Sequence, residues 1–82
     1  MIDRTVAKAI ANVAVFLEFS DSSAVDPDSA TQAMEQLAAD LQLLADDERR
    51  NLCRQFEIIA GEYADKQAAF VSNLSETLGV SV

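Results

Sequence analysis

The longest apolar pattern of the chain lies in residues 52–78, which read LCRQFEIIAGEYADKQAAFVSNLSETL. Apolar residues recur in it at steps of three and four, which places them on one side of an α-helix. The residues of this stripe are Leu52, Phe56, Ile59, Tyr63, Phe70, Leu74 and Leu78, with Gln67 the polar residue in the line. A single helix over residues 47–78 would be roughly 48 Å long at 1.5 Å rise per residue.

Two shorter helical patterns precede this stripe. They cover residues 3–19 and 27–45, and each would reach only about 26 Å. The chain shows no strict alternation of apolar and polar residues, and it has too few proline and glycine residues for the turns of a β fold. We therefore predict one all-α domain over residues 1–82, an antiparallel bundle of three helices. Gly61 could split the third helix into two, because glycine inside a helix costs roughly 1 kcal/mol relative to alanine.

The first pattern predicts a broad buried face and two exceptions to it. The expected core residues of this face are Ile2, Val6, Ala9, Ile10, Val13, Phe16 and Leu17. Val15 and Phe19 are also apolar, but they fall on the opposite side, together with Lys8 and Asn12. Either the helix is covered nearly all round near its end, or Val15 and Phe19 form an exposed anchor for a partner.

Local signals mark where the helices begin and end. Asp26 is expected to cap the second helix by accepting hydrogen bonds from free backbone N–H groups, and Pro27 suits the first helical position. The acids at 46–48 place negative charge at the start of the third helix, where the helix dipole favours it. Gly79 is typical of a helix end, so residues 80–82 are expected to fray.

A strip of small residues lies beside the long apolar stripe. The strip consists of Gly61, Ala64, Ala68 and Ser72. Such a strip would let another helix approach closely, or its spacing arises by chance in an alanine-rich chain. On the same helix, Glu62 and Lys66 are expected to form an ordinary ion pair four residues apart.

The composition is acidic. The 82 residues include 14 Asp and Glu against 6 Lys and Arg, a net charge of −8. This charge repels nucleic-acid phosphates and anionic membrane surfaces, so neither is an expected partner. It suits a partner with a basic surface, and solubility alone would also explain it. The apolar run at 9–17 is too short to span a bilayer, and Asp3 and Glu18 argue against an export signal, so we expect a cytoplasmic protein.

The residue types present argue against catalysis. Without histidine, the chain has no imidazole for metal binding or for proton transfer at neutral pH. We expect no cofactor, no metal and no enzymatic activity. One cysteine cannot form an internal disulfide. Cys53 is a small apolar core residue, a redox thiol close to Arg49, Arg50 and Arg54, or one half of an intermolecular disulfide.

The start of the second helix offers one alternative function. Asp28-Ser29-Ala30, in an acidic chain of this size, resembles the Asp-Ser-Leu site of acyl and peptidyl carrier proteins. The resemblance implies a phosphopantetheine arm on Ser29 and a docking role for Glu35. The simpler interpretation is a helix cap that needs no further function.

We therefore expect interaction without catalysis. By size, acidity and helical content, the chain is similar to small immunity proteins and antitoxin-like inhibitors that mask a basic partner. The excess length of the third helix favours a homodimer, because a second copy would cover apolar surface that one copy leaves open. The expected interface residues are Val15, Phe19, Gly61, Ala64 and Ala68, with an acidic rim of Asp40, Glu57 and Asp65. The alternatives are the carrier function and a purely self-associating structural protein.

Overall fold

The computed structural model describes residues 2–81, and in this part of the chain every regular element is helical. The elements are α1 (Arg4–Phe19), α2 (Pro27–Leu41), α3 (Asp46–Ile59), a 3₁₀ turn (Ala60–Glu62), α4 (Asp65–Ser72) and α5 (Leu74–Thr77). The all-α prediction is confirmed. The more detailed prediction of three helices is not, because the segment expected to form the third helix is divided into several elements.

The helix starts follow the local sequence. The side chain of Asp3 accepts a hydrogen bond from the backbone N–H of Val6 and caps α1. Asp26 caps α2 in the same way by accepting from the N–H of Ser29, with Pro27 at the first helical position, as predicted. Acids occupy the first turn of α3, where the positive end of the helix dipole stabilises them.

Residues 47–78 were open to two alternatives, one continuous helix or a helix divided at Gly61, and the structure contains the divided one. The α-helix ends at Ile59, the next three residues form the 3₁₀ turn, and Tyr63 and Ala64 are extended. A straight helix of roughly 48 Å would also exceed the longest dimension of the molecule, 38 Å. The break falls at Gly61, where the sequence offered a division, and it lets α4 and α5 pack against α3.

The apolar stripe nevertheless forms most of the core. Its fully buried members come from both sides of the break, and Val71 and Val80 join them. The large side chains with almost no exposed surface are Leu52, Phe56, Ile59, Val71, Leu74, Leu78 and Val80. Five of the seven residues of the stripe are therefore fully buried, whereas Tyr63 and Phe70 are half-buried.

The predicted buried face of α1 is wrong. The fully buried residues of α1 are Ala7, Ala11 and Ala14, and this alanine side packs chiefly against α3. Val6, Val13 and Phe16, which were expected in the core, point outward with 44%, 51% and 56% of their surface exposed. Ala9 is also exposed, Ile10 and Leu17 are half-buried, and only Ile2 of the predicted set is buried. Small side chains allow the helices to approach closely, and this close packing outweighs the burial of larger residues.

Gly79 and Val80, which follow α5, are held in place by hydrogen bonds and burial. Gly79 has a φ of +70°, and its N–H and that of Val80 donate to the carbonyls of Glu76 and Ser75, which is the Schellman pattern. Val80 is fully buried, and its carbonyl accepts a hydrogen bond from the Cys53 thiol at 3.4 Å. Fraying is therefore wrong for Val80, while Val82 lies outside the described residues.

The left-handed conformation of Gly79 predicts a cost for any side chain there. A Cβ at this position would lie 2.7 Å from Nε2 of Gln42, which donates to the Leu78 carbonyl. Gly79→Ala should lower the free energy of unfolding by about 1–2 kcal/mol in urea titrations, because L-residues are strained at positive φ.

Gly61→Ala is the matched control. A Cβ at Gly61 has no neighbour within 4 Å, and its φ is not positive. This variant should be neutral or gain up to about 1 kcal/mol, because alanine restricts the unfolded chain. Equal losses in the two variants would contradict the special role of Gly79.

Candidate functional site

The outward side of α1 carries a row of apolar residues. We call Val6, Ala9, Val13 and Phe16 the α1 outer face. Steps of three and four bring these residues onto one side of the helix, and no charged residue interrupts them. Scattered exposed apolar residues are normal, whereas a contiguous row on one helix is typical of an interaction surface.

A groove adjoins this face between α1 and α2. It has a volume of about 380 Å³, and its apolar wall includes Leu17, Val25, Ala30 and Met34, with Glu18 and Glu35 among its polar residues. We call it the α1–α2 groove. Leu17 follows Val13 by four residues on α1 and therefore borders both the groove and the α1 outer face.

The helix on the far side of the groove is only partly packed. Over its whole length, α2 has no fully buried residue. Its apolar seam of Met34, Leu37, Ala38 and Leu41 touches the core but stays half-buried. α1 is the helix against which it packs, and one side-chain hydrogen bond from Gln42 links its end to the Leu78 carbonyl at 2.9 Å. α2 therefore presents part of its seam to the groove.

The charge around the groove is entirely negative. From Ala9 to Ala45 the sequence has no lysine or arginine. The acids of this stretch are Glu18, Asp21, Asp26, Asp28, Glu35 and Asp40. Within residues 2–81, neither Glu18 nor Glu35 forms an ion pair, and both are exposed. Their carboxylates are therefore available to a cationic group from another molecule.

The basic residues of α1 are engaged elsewhere. Arg4 and Lys8 both donate to the Glu62 carboxylate, the latter at 3.2 Å. The ammonium of Lys8 also lies 4.5 Å from the centre of the Tyr63 ring, and the Tyr63 hydroxyl donates to Asn12. Together these contacts form a polar clamp that ties the 3₁₀ turn and the extended residues after it to α1.

The ion-pair partners of Glu62 differ from the one that the sequence predicted. The sequence predicted an ion pair with Lys66, four residues later, but this pairing requires a continuous helix. Because the helix ends at Ile59, Glu62 instead binds Arg4 and Lys8 of α1. Hydrogen bonds from Arg4 first and Lys8 second hold the pKa of Glu62 below its ordinary value.

The two predicted anchors lie against the rest of the fold. Val15 is half-buried and packs against the core. Phe19 is 40% exposed, and its ring meets that of Phe70 edge to face, with 5.5 Å between the ring centres. Both residues therefore have contacts within the chain, Val15 with the core and Phe19 with Phe70.

The predicted small-residue strip is divided by the helix break. Gly61 lies in the 3₁₀ turn, Ala64 is extended, and Ala68 is half-buried in α4. A strip along one helix is therefore absent from residues 60–72. Ala64 and Asp65 do meet Phe19 at an open depression of about 600 Å³, so three of the expected interface residues share one part of the surface.

The expected acidic rim is distributed over three helices. Asp40 of α2 accepts a hydrogen bond from Gln36 at 2.9 Å. Glu57 of α3 lies beside Arg50 and Arg54 at a shallow depression that Cys53 also lines. Asp65, at the start of α4, has a φ of +53°, a conformation that aspartate tolerates better than most residues.

The residues with possible chemistry have structural contacts. Ser29 is exposed, and its N–H and hydroxyl both donate to Asp26, at 2.9 and 3.1 Å. Cys53 is half-buried, and its thiol donates to the Val80 carbonyl. Across residues 2–81, no three His, Cys, Asp or Glu side chains are grouped so that they could hold a metal ion.

The sequence contained a signal for the α1 outer face that hydrophobicity alone obscured. Ala7, Ala11 and Ala14 repeat at steps of four and three, so they mark a side of α1 suited to close packing. The larger apolar residues of α1 lie on the opposite side, and the predicted core face was the one that contains them. The groove had no comparable signal, because it depends on how α1 and α2 sit relative to each other.

Comparisons with known proteins supply no family for this chain. Neither the protein-family models, nor the curated proteins, nor the solved structures contain a match. Among the described residues, 2–81, no helix combines the length and the apolar character needed to cross a bilayer.

Phe19→Ala tests whether Phe19 is a core contact. Loss of the edge-to-face contact with Phe70 should lower the free energy of unfolding by about 1–2 kcal/mol. Phe16→Ala is the control on the same helix, with a more exposed ring. It should change stability by less than about 0.5 kcal/mol when measured on the monomer. If the two variants were equally stable, Phe19 would not be a core contact, and its role as an exposed anchor for a partner would be favoured.

The polar clamp makes the titration of Glu62 depend on α1. NMR titration of its carboxyl carbon should give a pKa below the ordinary value, because two cations stabilise the charged form. Arg4→Gln should raise this pKa most and Lys8→Gln less, whereas Lys66→Gln should leave it unchanged. A rise on Lys66→Gln alone would restore the pairing that the sequence predicted.

The same shift gives stability a pH dependence of known sign. Because the pKa of Glu62 is lower in the folded chain, its contribution is complete above the ordinary pKa of glutamate. It is lost as the pH falls from that value through the lowered one. The pKa values of Asp21, which accepts from Ser23, and Asp46, which pairs with Arg49, are lowered too and add to the loss in acid.

Proposed function

We propose that this chain is a small acidic interaction protein without a catalytic role, which acts as a homodimer and binds a partner with a basic surface. Immunity and antitoxin-type inhibitors are the class in which we place it. The observation that carries the proposal is the α1 outer face, whose large residues point away from the chain's own core.

The way α1 packs supports an interaction role. The side facing the core contributes only alanines as fully buried residues, whereas Val13 and Phe16 expose about half of their surface. Burying such side chains is favourable by about 25 cal/mol per Å². A helix that keeps them in water loses this stabilisation in the monomer, and a second molecule on the same face would recover it.

The size of the α1 outer face supports a modest dimer. Its residues expose on the order of 300 Å² of apolar surface, comparable to the largest patch of a typical monomer. Two copies pairing through this face would bury it twice, together with its polar borders. With both copies counted, about 600 Å² of apolar surface would leave water, which is below the ~1,200–2,000 Å² in total that specific, stable interfaces bury. We therefore propose a dimer that dissociates on dilution.

Charge supports the basic partner. The net charge of −8 is concentrated from Ala9 to Ala45, where no cation offsets the acids. Because both copies are acidic, they repel each other. The α1 outer face contains no charged residue, so a dimer formed through it does not bring acids of the two copies into direct contact. A basic partner would approach the same acids favourably.

Light scattering coupled to size exclusion, over a hundredfold range of concentration, tests the homodimer. The mass should rise from one chain, 8.9 kDa, towards twice that value as concentration increases. Val13→Asp should keep the chain monomeric without loss of helicity by circular dichroism, because it places a charge in the contact.

Ile58→Asp is the matched control for this experiment. Ile58 is 55% exposed, close to the 51% of Val13, but it lies on α3, away from the α1 outer face. The control should dimerise like the unchanged chain. A chain that stays monomeric at all concentrations, or equal effects of both substitutions, would contradict a dimer through this face.

A further inference from the structure

The α1–α2 groove has an apolar wall and an acidic border. Leu17, Ala30 and Met34 form part of the wall, and Glu18 of α1 and Glu35 of α2 also line the groove. The other polar groups that line it are hydroxyls, and the groove has no cationic lining residue. Its chemistry therefore suits a ligand that is apolar on one side and positively charged at its edges.

Electrostatics favour this ligand for a second reason. Glu18 and Glu35 have no ion-pair partner among the described residues, so a lysine or arginine could approach them without displacing an existing pair. The cation-free stretch around them keeps the local potential negative. Such a potential speeds the encounter with a basic partner and disfavours an acidic one.

The two helices beside the groove favour a helix as the ligand. Two helices flank it, and the seam of α2 beside it is half-buried, so a third helix would complete the packing that α2 lacks. An amphipathic helix places apolar residues at steps of three and four into such a groove and leaves its charged residues at the edges.

We infer that the α1–α2 groove binds an amphipathic, lysine- or arginine-rich helix of a protein partner. The inference deepens the proposed function and rests on it, since it assigns the basic partner a place and a secondary structure. It differs from the homodimer in its surface, because the second copy contacts the α1 outer face and the partner helix lies between α1 and α2.

Fluorescence anisotropy with synthetic peptides tests the groove. The probe is a labelled peptide of about 14 residues with leucine at helical spacing and lysine elsewhere. It should bind saturably at low ionic strength, and added salt should weaken it. Two control peptides should bind far less: one with glutamate in place of lysine, and one with the leucines and lysines in scrambled order.

Paired substitutions locate the binding on the chain. Glu18→Gln with Glu35→Gln keeps the shape of both side chains and should weaken the probe about three- to tenfold. Asp47→Asn with Glu48→Gln removes the same charge from acids of α3 that do not line the groove, and it should change affinity less than about twofold. If both pairs weakened binding equally, or if the scrambled peptide bound equally well, the peptide would not bind in the groove. Attraction by net charge alone would then explain the binding.

Val13→Gln, which places a polar side chain in the same contact without adding charge beside the groove, separates this inference from the proposed homodimer. Probe binding retained by that variant supports the groove, whatever the light-scattering result for the unchanged chain. A chain that dimerises but does not bind the probe overturns the groove and leaves the homodimer standing. A chain that does neither overturns both proposals.

Discussion

Three alanines of α1 have no exposed surface, and their small side chains set how closely α1 approaches α3. Close packing of this kind fixes the rotation of a helix about its own axis, because only one side can accept so near a neighbour. Once Ala7, Ala11 and Ala14 face inward, Val6, Val13 and Phe16 must face outward. The rotation also turns Arg4, Lys8 and Asn12 towards the turn after α3, where they form the polar clamp.

The break after Ile59 depends on the same placement of α1. A continuous helix would carry Glu62 and Tyr63 away from α1, whereas the 3₁₀ turn leaves both within reach of its polar side. The chain can then reverse, so that Val71, Leu74 and Leu78 pack on Leu52 and Phe56 instead of extending into solvent. Gly61 makes the interruption inexpensive, because an α-helix gains little from a glycine in its interior.

Sequence reasoning succeeded where the interactions are local and failed where they are not. The cap at Asp26-Pro27, the helix end at Gly79 and the core residues of the apolar stripe depend on neighbours within a few positions, and the structure contains all of them. The partners of Glu62 lie more than fifty positions away in the sequence, and the orientation of α1 depends on its packing against α3. Periodicity also cannot distinguish one long helix from two shorter ones in the same phase, and Tyr63 and Phe70 continued the stripe across the break. Of the surfaces discussed, the α1 outer face could have been inferred from its alanines, whereas the groove needed the tertiary structure.

The half-buried state of α2 has a consequence for the dynamics of the chain. A helix without a fully buried residue loses little when it detaches, so α2 should open locally at a free energy well below that of global unfolding. Its amide hydrogens would then exchange with solvent before those of α3, which contains Leu52, Phe56 and Ile59. Any molecule that packs on the seam of α2 stabilises the closed state by mass action. Its binding would therefore slow amide hydrogen exchange in α2 more than in the other helices.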